Sequence, residues 1–136
     1  MTQEDKELLF KDLSSRLPYG VKCWASYNKF PTTLVDVNAD TVGDNLFIVT
    51  VKLKKTGLNS PSLIEDIKPY LRPMSSMTEE EQRTLDSMCN GVEIVSRLSG
   101  LKMFDKAFNW LNENHFDYRG LIEKGLAIDA TGLDVY

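Results

Sequence analysis

The first part of the chain carries apolar residues at helical spacing. Leucines recur every four residues from Leu9 to Leu17, which is typical of the buried stripe of an amphipathic helix. Thr2 and Asp5 have the spacing of a capping box, and Pro18 ends the pattern. The sequence therefore predicts an N-terminal helix that covers another layer with its leucine face.

Alternation with a period of two replaces the helical spacing beyond Gly20. The segments 21–27 and 33–39 alternate apolar with polar residues, and the segment 45–54 is rich in β-branched residues. The links between them are too short to contain a crossover helix. We therefore expect the three segments to pair as an antiparallel meander.

The segment 63–77 is bracketed by prolines. Pro69 and Pro73 exclude a regular helix across it, so we expect a short fourth strand or a turn near 63–67 and then an extended stretch. Its apolar residues could form a surface for a partner protein or could pack onto the core, and the general tendency of such residues to become buried favours the core. The four residues concerned are Tyr70, Leu71, Met74 and Met77.

Helical patterns return in the last part of the chain. A capping box at Thr78 and Glu81 begins one helix, and Asn90-Gly91 ends it. The segment 92–99 fits a strand and a helix equally well. A second helix is predicted over 101–114. Its apolar stripe comprises Phe104, Ala107, Phe108 and Leu111.

These elements predict one α+β domain over residues 1–136. An N-terminal helix lies on a three- to four-stranded antiparallel meander, and two C-terminal helices follow it. The acidic, polar start of the chain and the absence of a long apolar run favour a cytoplasmic protein that does not contact a membrane.

Charge and cysteine content narrow the range of functions. The net charge is −4, which works against non-specific binding of nucleic acid. Two acid–base pairs at helical spacing, Glu7–Lys11 and Asp12–Arg16, are expected on the wet face of the first helix. With one histidine and two distant cysteines, Cys23 and Cys89, the chain predicts no metal site, no cofactor and reduced thiols.

Lysines near the third predicted strand offer one candidate site. Lys52, Lys54 and Lys55 lie close to Trp24 if the meander forms, and such a basic and aromatic surface could bind single-stranded nucleic acid. The alternative is that these lysines protect a sheet edge against aggregation, which the acidic composition favours.

His115 and Asp117 offer a weak catalytic candidate. A histidine with an orienting carboxylate could act as a general base in a hydrolase. Residues at the end of a helix more often satisfy backbone groups, so the structural role is favoured. The sequence contains no phosphate-binding loop, nucleophile elbow or zinc signature, which favours a non-enzymatic protein.

Three runs of residues carry a resemblance. They are FNWLNENHFDYRGLI at 108–122, LPYGVK at 17–22 and KPYLRPMSSM at 68–77. In these runs the chain resembles uncharacterised short proteins of gut Bacteroidales and of their phages and prophages. The resemblance implies a bacterial or phage accessory protein and supplies no catalytic residues.

The sequence thus favours a small non-enzymatic accessory protein that contacts a host or phage protein. A nucleic-acid-binding regulator that uses the lysine and aromatic side chains is the alternative. A hydrolase based on His115 and Asp117 is the third and weakest hypothesis.

Overall fold

A computed structural model describes residues 1–40, 46–90 and 97–136. Over these ranges the chain has an α+β fold with an N-terminal helix, a six-stranded mixed sheet and two later helices. The helices are α1 (Gln3–Arg16), α2 (Glu79–Asn90) and α3 (Arg97–Glu113). The strands are β1 (Lys22–Ala25), β2 (Asn28–Asp40), β3 (Leu46–Lys52), β4 (Asn59–Leu63), β5 (Ile67–Leu71) and β6 (Ile128–Asp129).

Both capping boxes form as predicted. The Asp5 N–H donates to Thr2 Oγ1 at 3.1 Å, and the Thr2 N–H donates back to the Asp5 carboxylate. The same exchange joins Thr78 and Glu81 at the start of α2. Glu81 also binds the Arg72 guanidinium through both carboxylate oxygens, at 2.8 and 2.9 Å, and these bonds to Arg72 lower its pKa to about 2. This bidentate pair joins α2 to the end of β5.

The sheet is larger than the predicted meander and is not wholly antiparallel. Its strand order is β4-β3-β2-β1-β5-β6, with β1 to β4 as the antiparallel meander and β6 parallel to β5. The fourth strand or turn predicted near 63–67 is instead a strand over Asn59–Leu63, the extended stretch predicted after it includes β5, and β6 was not predicted. A 3₁₀ turn at Ile64–Asp66 carries the chain from the β4 edge to a place beside β1. The Tyr136 hydroxyl accepts from the Lys22 N–H of β1 and donates to the Tyr70 carbonyl, so this carbonyl faces β1. The nitrogen of Pro69 then faces away from β1, which is why a proline fits in β5.

The inner face of the sheet packs against α1. Of the predicted leucine stripe, Leu9 and Leu13 are fully inaccessible on α1, whereas Leu17 is half-buried in the 3₁₀ turn that follows the helix. In β2 a β-bulge between Leu34 and Asp36 leaves Val35 exposed, so Val35 does not follow the simple alternation of the strand. The core of the sheet layer comprises Cys23, Ala25, Leu34, Val49, Val51, Ile64, Ile67 and Leu71.

The later helices pack against each other, and α3 also contacts α1. Of the ambiguous segment 92–99, residues 97–99 belong to α3, and residues 92–96 lie outside the described ranges, as does Gly91. Cys23 lies in the core and Cys89 on α2, and neither takes part in a disulfide. Among the described residues, no helix combines the length and apolar character needed to cross a membrane.

Candidate functional site

The catalytic candidates His115 and Asp117 have separate structural roles. Both carboxylate oxygens of Asp117 accept backbone N–H groups, from Leu121 at 2.8 Å and Ile122 at 2.9 Å. The carboxylate therefore caps the next turn and does not orient the imidazole. His115 has a φ of 63° and stacks on Tyr136 with ring centroids 3.7 Å apart. This arrangement gives the hydrolase hypothesis no support.

The environment of His115 disfavours its charged form. Burial lowers the pKa of the imidazole to about 4, and the positive charges of Arg16, Arg72 and Lys22 contribute in the same direction. Its Nδ1 atom is buried and has no hydrogen-bond partner among the described residues. The ring is therefore neutral at ordinary pH, as expected for a packed side chain.

Stability is expected to fall by about 1 kcal/mol when the pH is lowered from about 7 to about 5. The unfolded chain protonates His115 near pH 6.5, whereas the folded chain does so only near pH 4. The contribution of the neutral His115 side chain to the free energy of unfolding is therefore complete above pH 6.5 and is lost as the pH falls towards 4. The full lowering of the His115 pKa would correspond to a loss of about 2 kcal/mol in the free energy of unfolding at pH 5. Because the ring is partly exposed to solvent, we expect about half of this loss.

Urea unfolding at the two pH values measures this loss. His115 is the only histidine, so no other histidine titrates in this window. The His115→Asn variant is the control, because asparagine tolerates the left-handed backbone. It should show a much smaller loss, and equal losses in both proteins would show that His115 is not the group responsible.

Within the segment 63–77, Leu63 ends β4 and residues 67–71 form β5. Leu71 is fully buried in β5, and Tyr70 is half-buried with its carbonyl bonded to the Tyr136 hydroxyl at 2.7 Å. Met74 is exposed at the start of a 3₁₀ turn, and Met77 is half-buried directly after it. These four side chains do not form one continuous surface, because Leu71 points into the core.

The lysine candidates are divided between two places. Lys52 lies on β3, with β4 outside it, so it is not on a sheet edge. Lys52 and Lys54 line a groove of about 320 Å³. Lys55 instead lies over the Phe30 ring, 4.5 Å from its centroid, and Trp24 is half-buried on β1 outside the groove lining. Of the four candidate residues, Lys52 and Lys54 therefore share the groove, whereas Lys55 and Trp24 lie outside it.

A buried ionic cluster connects α1 to the C-terminal part of the chain. The Asp12 carboxylate accepts from Arg16 Nε at 2.8 Å and Nη2 at 3.0 Å, and from Arg119 Nη1 at 2.9 Å. Arg16 Nη2 also donates to the Phe116 carbonyl at 2.7 Å. The side chains of Asp12 and Arg16 are completely buried, so their predicted place on the wet face of α1 is wrong. Their spacing alone could not indicate burial, because the third partner lies 107 positions away.

An exposed apolar surface lies on α3. The sequence predicted one apolar stripe that contains Phe104 and Phe108, but only Ala107 and Leu111 of that stripe are buried. Phe104 and Phe108 are 48% and 47% exposed, and Leu101, three positions before Phe104, is 66% exposed. The helical spacing in the sequence identified this apolar stripe, but it did not indicate that Phe104 and Phe108 are exposed.

Tyr118 extends this surface beyond the helix. Its ring lies 5.4 Å from that of Phe108, and its hydroxyl donates to Asn112 Oδ1 at 2.9 Å. The guanidinium carbons of Arg119 and Arg16 lie 4.7 and 5.4 Å from the ring centroid. We call Leu101, Phe104, Phe108 and Tyr118 the α3 patch. In this patch, a hydrogen bond to Asn112 holds Tyr118 in place, and the other three side chains are apolar and exposed.

No protein-family model, curated protein or solved structure matches this chain.

Proposed function

We propose that this chain is a non-enzymatic protein that acts by contact with another protein through the α3 patch. The observation that carries the proposal is the exposure of three large apolar side chains on one side of α3. A contiguous exposed apolar surface of this kind is typical of a site of protein contact.

The composition of the α3 patch supports the same conclusion. Phenylalanine, tyrosine and arginine are enriched at the centres of protein interfaces, and Arg119 borders Tyr118 at the edge of the patch. Because Arg119 is held by Asp12 and Tyr118 by Asn112, both are ordered before a partner arrives. Ordering in advance lowers the entropic cost of association.

The partner is expected to present an apolar surface to α3. The resemblance to proteins of gut Bacteroidales and their phages favours a host or phage protein in this role. An apolar contact depends little on ionic strength, so the complex should persist at high salt, unlike a contact based on phosphate charges.

Site-specific photocrosslinking tests the proposal. A benzophenone amino acid replaces Phe104 in one protein and Leu58 in a control, since Leu58 is 64% exposed on the β3–β4 turn. Irradiation in a lysate of the native host at high salt should give a discrete protein adduct from position 104 and none from position 58. Adding Phe108→Ser should reduce the adduct at least about tenfold, since the loss of an interface aromatic costs more than about 1.4 kcal/mol.

The mass of the adduct distinguishes a foreign protein from a second copy of this chain. Equal adducts from positions 104 and 58, or an adduct that Phe108→Ser leaves unchanged, would contradict the proposal. Phe108 is half-exposed, so the Phe108→Ser protein should still unfold near the temperature of the parent chain, which confirms that any loss concerns binding.

A further inference from the structure

The outer face of the sheet carries a row of polar side chains across β1, β2 and β3. Lys22 on β1 lies opposite Thr33 on β2, and Thr33 lies opposite Lys52 on β3. Directly opposed residues in antiparallel strands point to the same face, with Cβ atoms about 5 Å apart. The two lysines therefore flank Thr33 on one face of the sheet, and Lys22 Nζ donates to Thr33 Oγ1 at 2.7 Å.

All three residues of this row line the groove of about 320 Å³, and Lys54 is a third lysine in its lining. None of the three lysines lies within salt-bridge distance of a carboxylate in the described part of the chain. Asp134 is the one acidic residue among the described residues that line the groove. The groove therefore has an excess of positive charge, although the chain as a whole is acidic.

Protection of a sheet edge does not explain these lysines. Lys22 and Lys52 lie on β1 and β3, which are interior strands with a neighbour on each side. Edge protection requires charge on an unpaired strand. Cations gathered in one groove repel each other, and a bound anion removes that repulsion.

We propose that this groove, formed around Lys22, Thr33, Lys52 and Lys54, binds a phosphate group. Lysine ammonium groups bind phosphate as point charges. The Thr33 hydroxyl accepts from Lys22, so its own proton is available to a phosphate oxygen. Leu53 and Val135 add apolar walls against which the rest of the ligand can lie. The phosphate belongs to a small molecule or to the backbone of a single-stranded nucleic acid, which share this chemistry.

Titration of the full chain with three probes, followed by NMR chemical shifts, tests the proposal and distinguishes these sources. The probes are pyrophosphate, adenosine monophosphate and a ten-residue oligothymidine. Saturable 1:1 binding of the first two, with no tighter binding of the third, assigns the site to small molecules. Tighter binding of oligothymidine that weakens steeply with salt assigns it to a single strand.

Two variants and a control make the test specific. Lys52→Gln should weaken the binding of whichever of the three probes binds best by about tenfold, because it removes one charge-assisted contact with the phosphate. Asp134→Asn should strengthen binding several-fold, a change that damage to the fold would not produce. The control, Lys102→Gln, removes the same charge from an exposed position on α3 and should change little.

Two outcomes would overturn the proposal. One is the absence of saturable binding of all three probes at millimolar concentration. The other is an equal loss of binding in Lys52→Gln and Lys102→Gln, which would show a response to net charge alone. Neither outcome bears on the α3 patch, since the two surfaces share no residue.

Discussion

Replacement of Asp12 by alanine is expected to lower the free energy of unfolding by about 3–5 kcal/mol. The Asp12 carboxylate is completely buried and accepts three hydrogen bonds from two guanidinium groups. Its removal leaves the buried charge of Arg16 without compensation, and a buried unpaired charge is far more costly than a broken surface pair. A loss of this size is a large fraction of the stability of a typical domain. Urea unfolding of the two proteins measures it.

The chain contains a matched control for this prediction. Glu79 and Arg83 form an acid–base pair with the same four-residue spacing, but both side chains are largely exposed, at 95% and 77%. Glu79→Ala should leave the free energy of unfolding nearly unchanged, because exposed pairs contribute little. If Asp12→Ala were no more destabilising than Glu79→Ala, the buried cluster would not be a stabilising element of the fold.

Replacement of Phe116 by alanine is expected to cost about 3–5 kcal/mol as well. Phe116 is completely buried, with its ring 5.7 Å from Trp110 and 4.2 Å from the guanidinium carbon of Arg72. Its backbone pairs with Arg72 in a parallel bridge at the end of β5, and its carbonyl accepts from Arg16. Removal of the ring leaves a cavity where the sheet meets α3 and α1, which the surrounding backbone cannot readily close.

Phe108→Ala provides the comparison for Phe116→Ala. The same side chain is removed from a half-exposed position on α3, and we expect a loss below about 1 kcal/mol. Thermal or urea unfolding of both variants gives the difference. A large loss at Phe108 would show that this ring belongs to the core, and it would remove the main support for protein contact through the α3 patch.

The sequence supported the local elements well and the candidate sites poorly. The segments identified as helices and strands largely exist, and the three predicted strands pair as an antiparallel meander, which β4 extends at 59–63. Of the proposed partner-binding residues, Leu71 lies in the core and Met74 is exposed. Of the proposed nucleic-acid-binding residues, only Lys52 and Lys54 share a groove, and Lys22 joins them. These outcomes depend on strand order and register, which composition does not determine.

The two acid–base pairs predicted on α1 show the same limit. Glu7 and Lys11 are exposed as expected, whereas Asp12 and Arg16 are buried. The spacing within each pair is identical. What distinguishes them is Arg119 and the Phe116 carbonyl, which reach Asp12 and Arg16 from the far end of the chain.

The features that could be predicted from the sequence are those whose partners lie within a few residues. The capping boxes at Thr2 and Thr78 and the leucine stripe of α1 are of this kind, because both depend only on helical geometry. The tertiary structure alone decided which side of each element is covered. It buried Asp12, exposed Phe104 and Phe108, and placed Lys22 and Lys52 on either side of Thr33, because burial and proximity depend on packing between segments far apart in the chain.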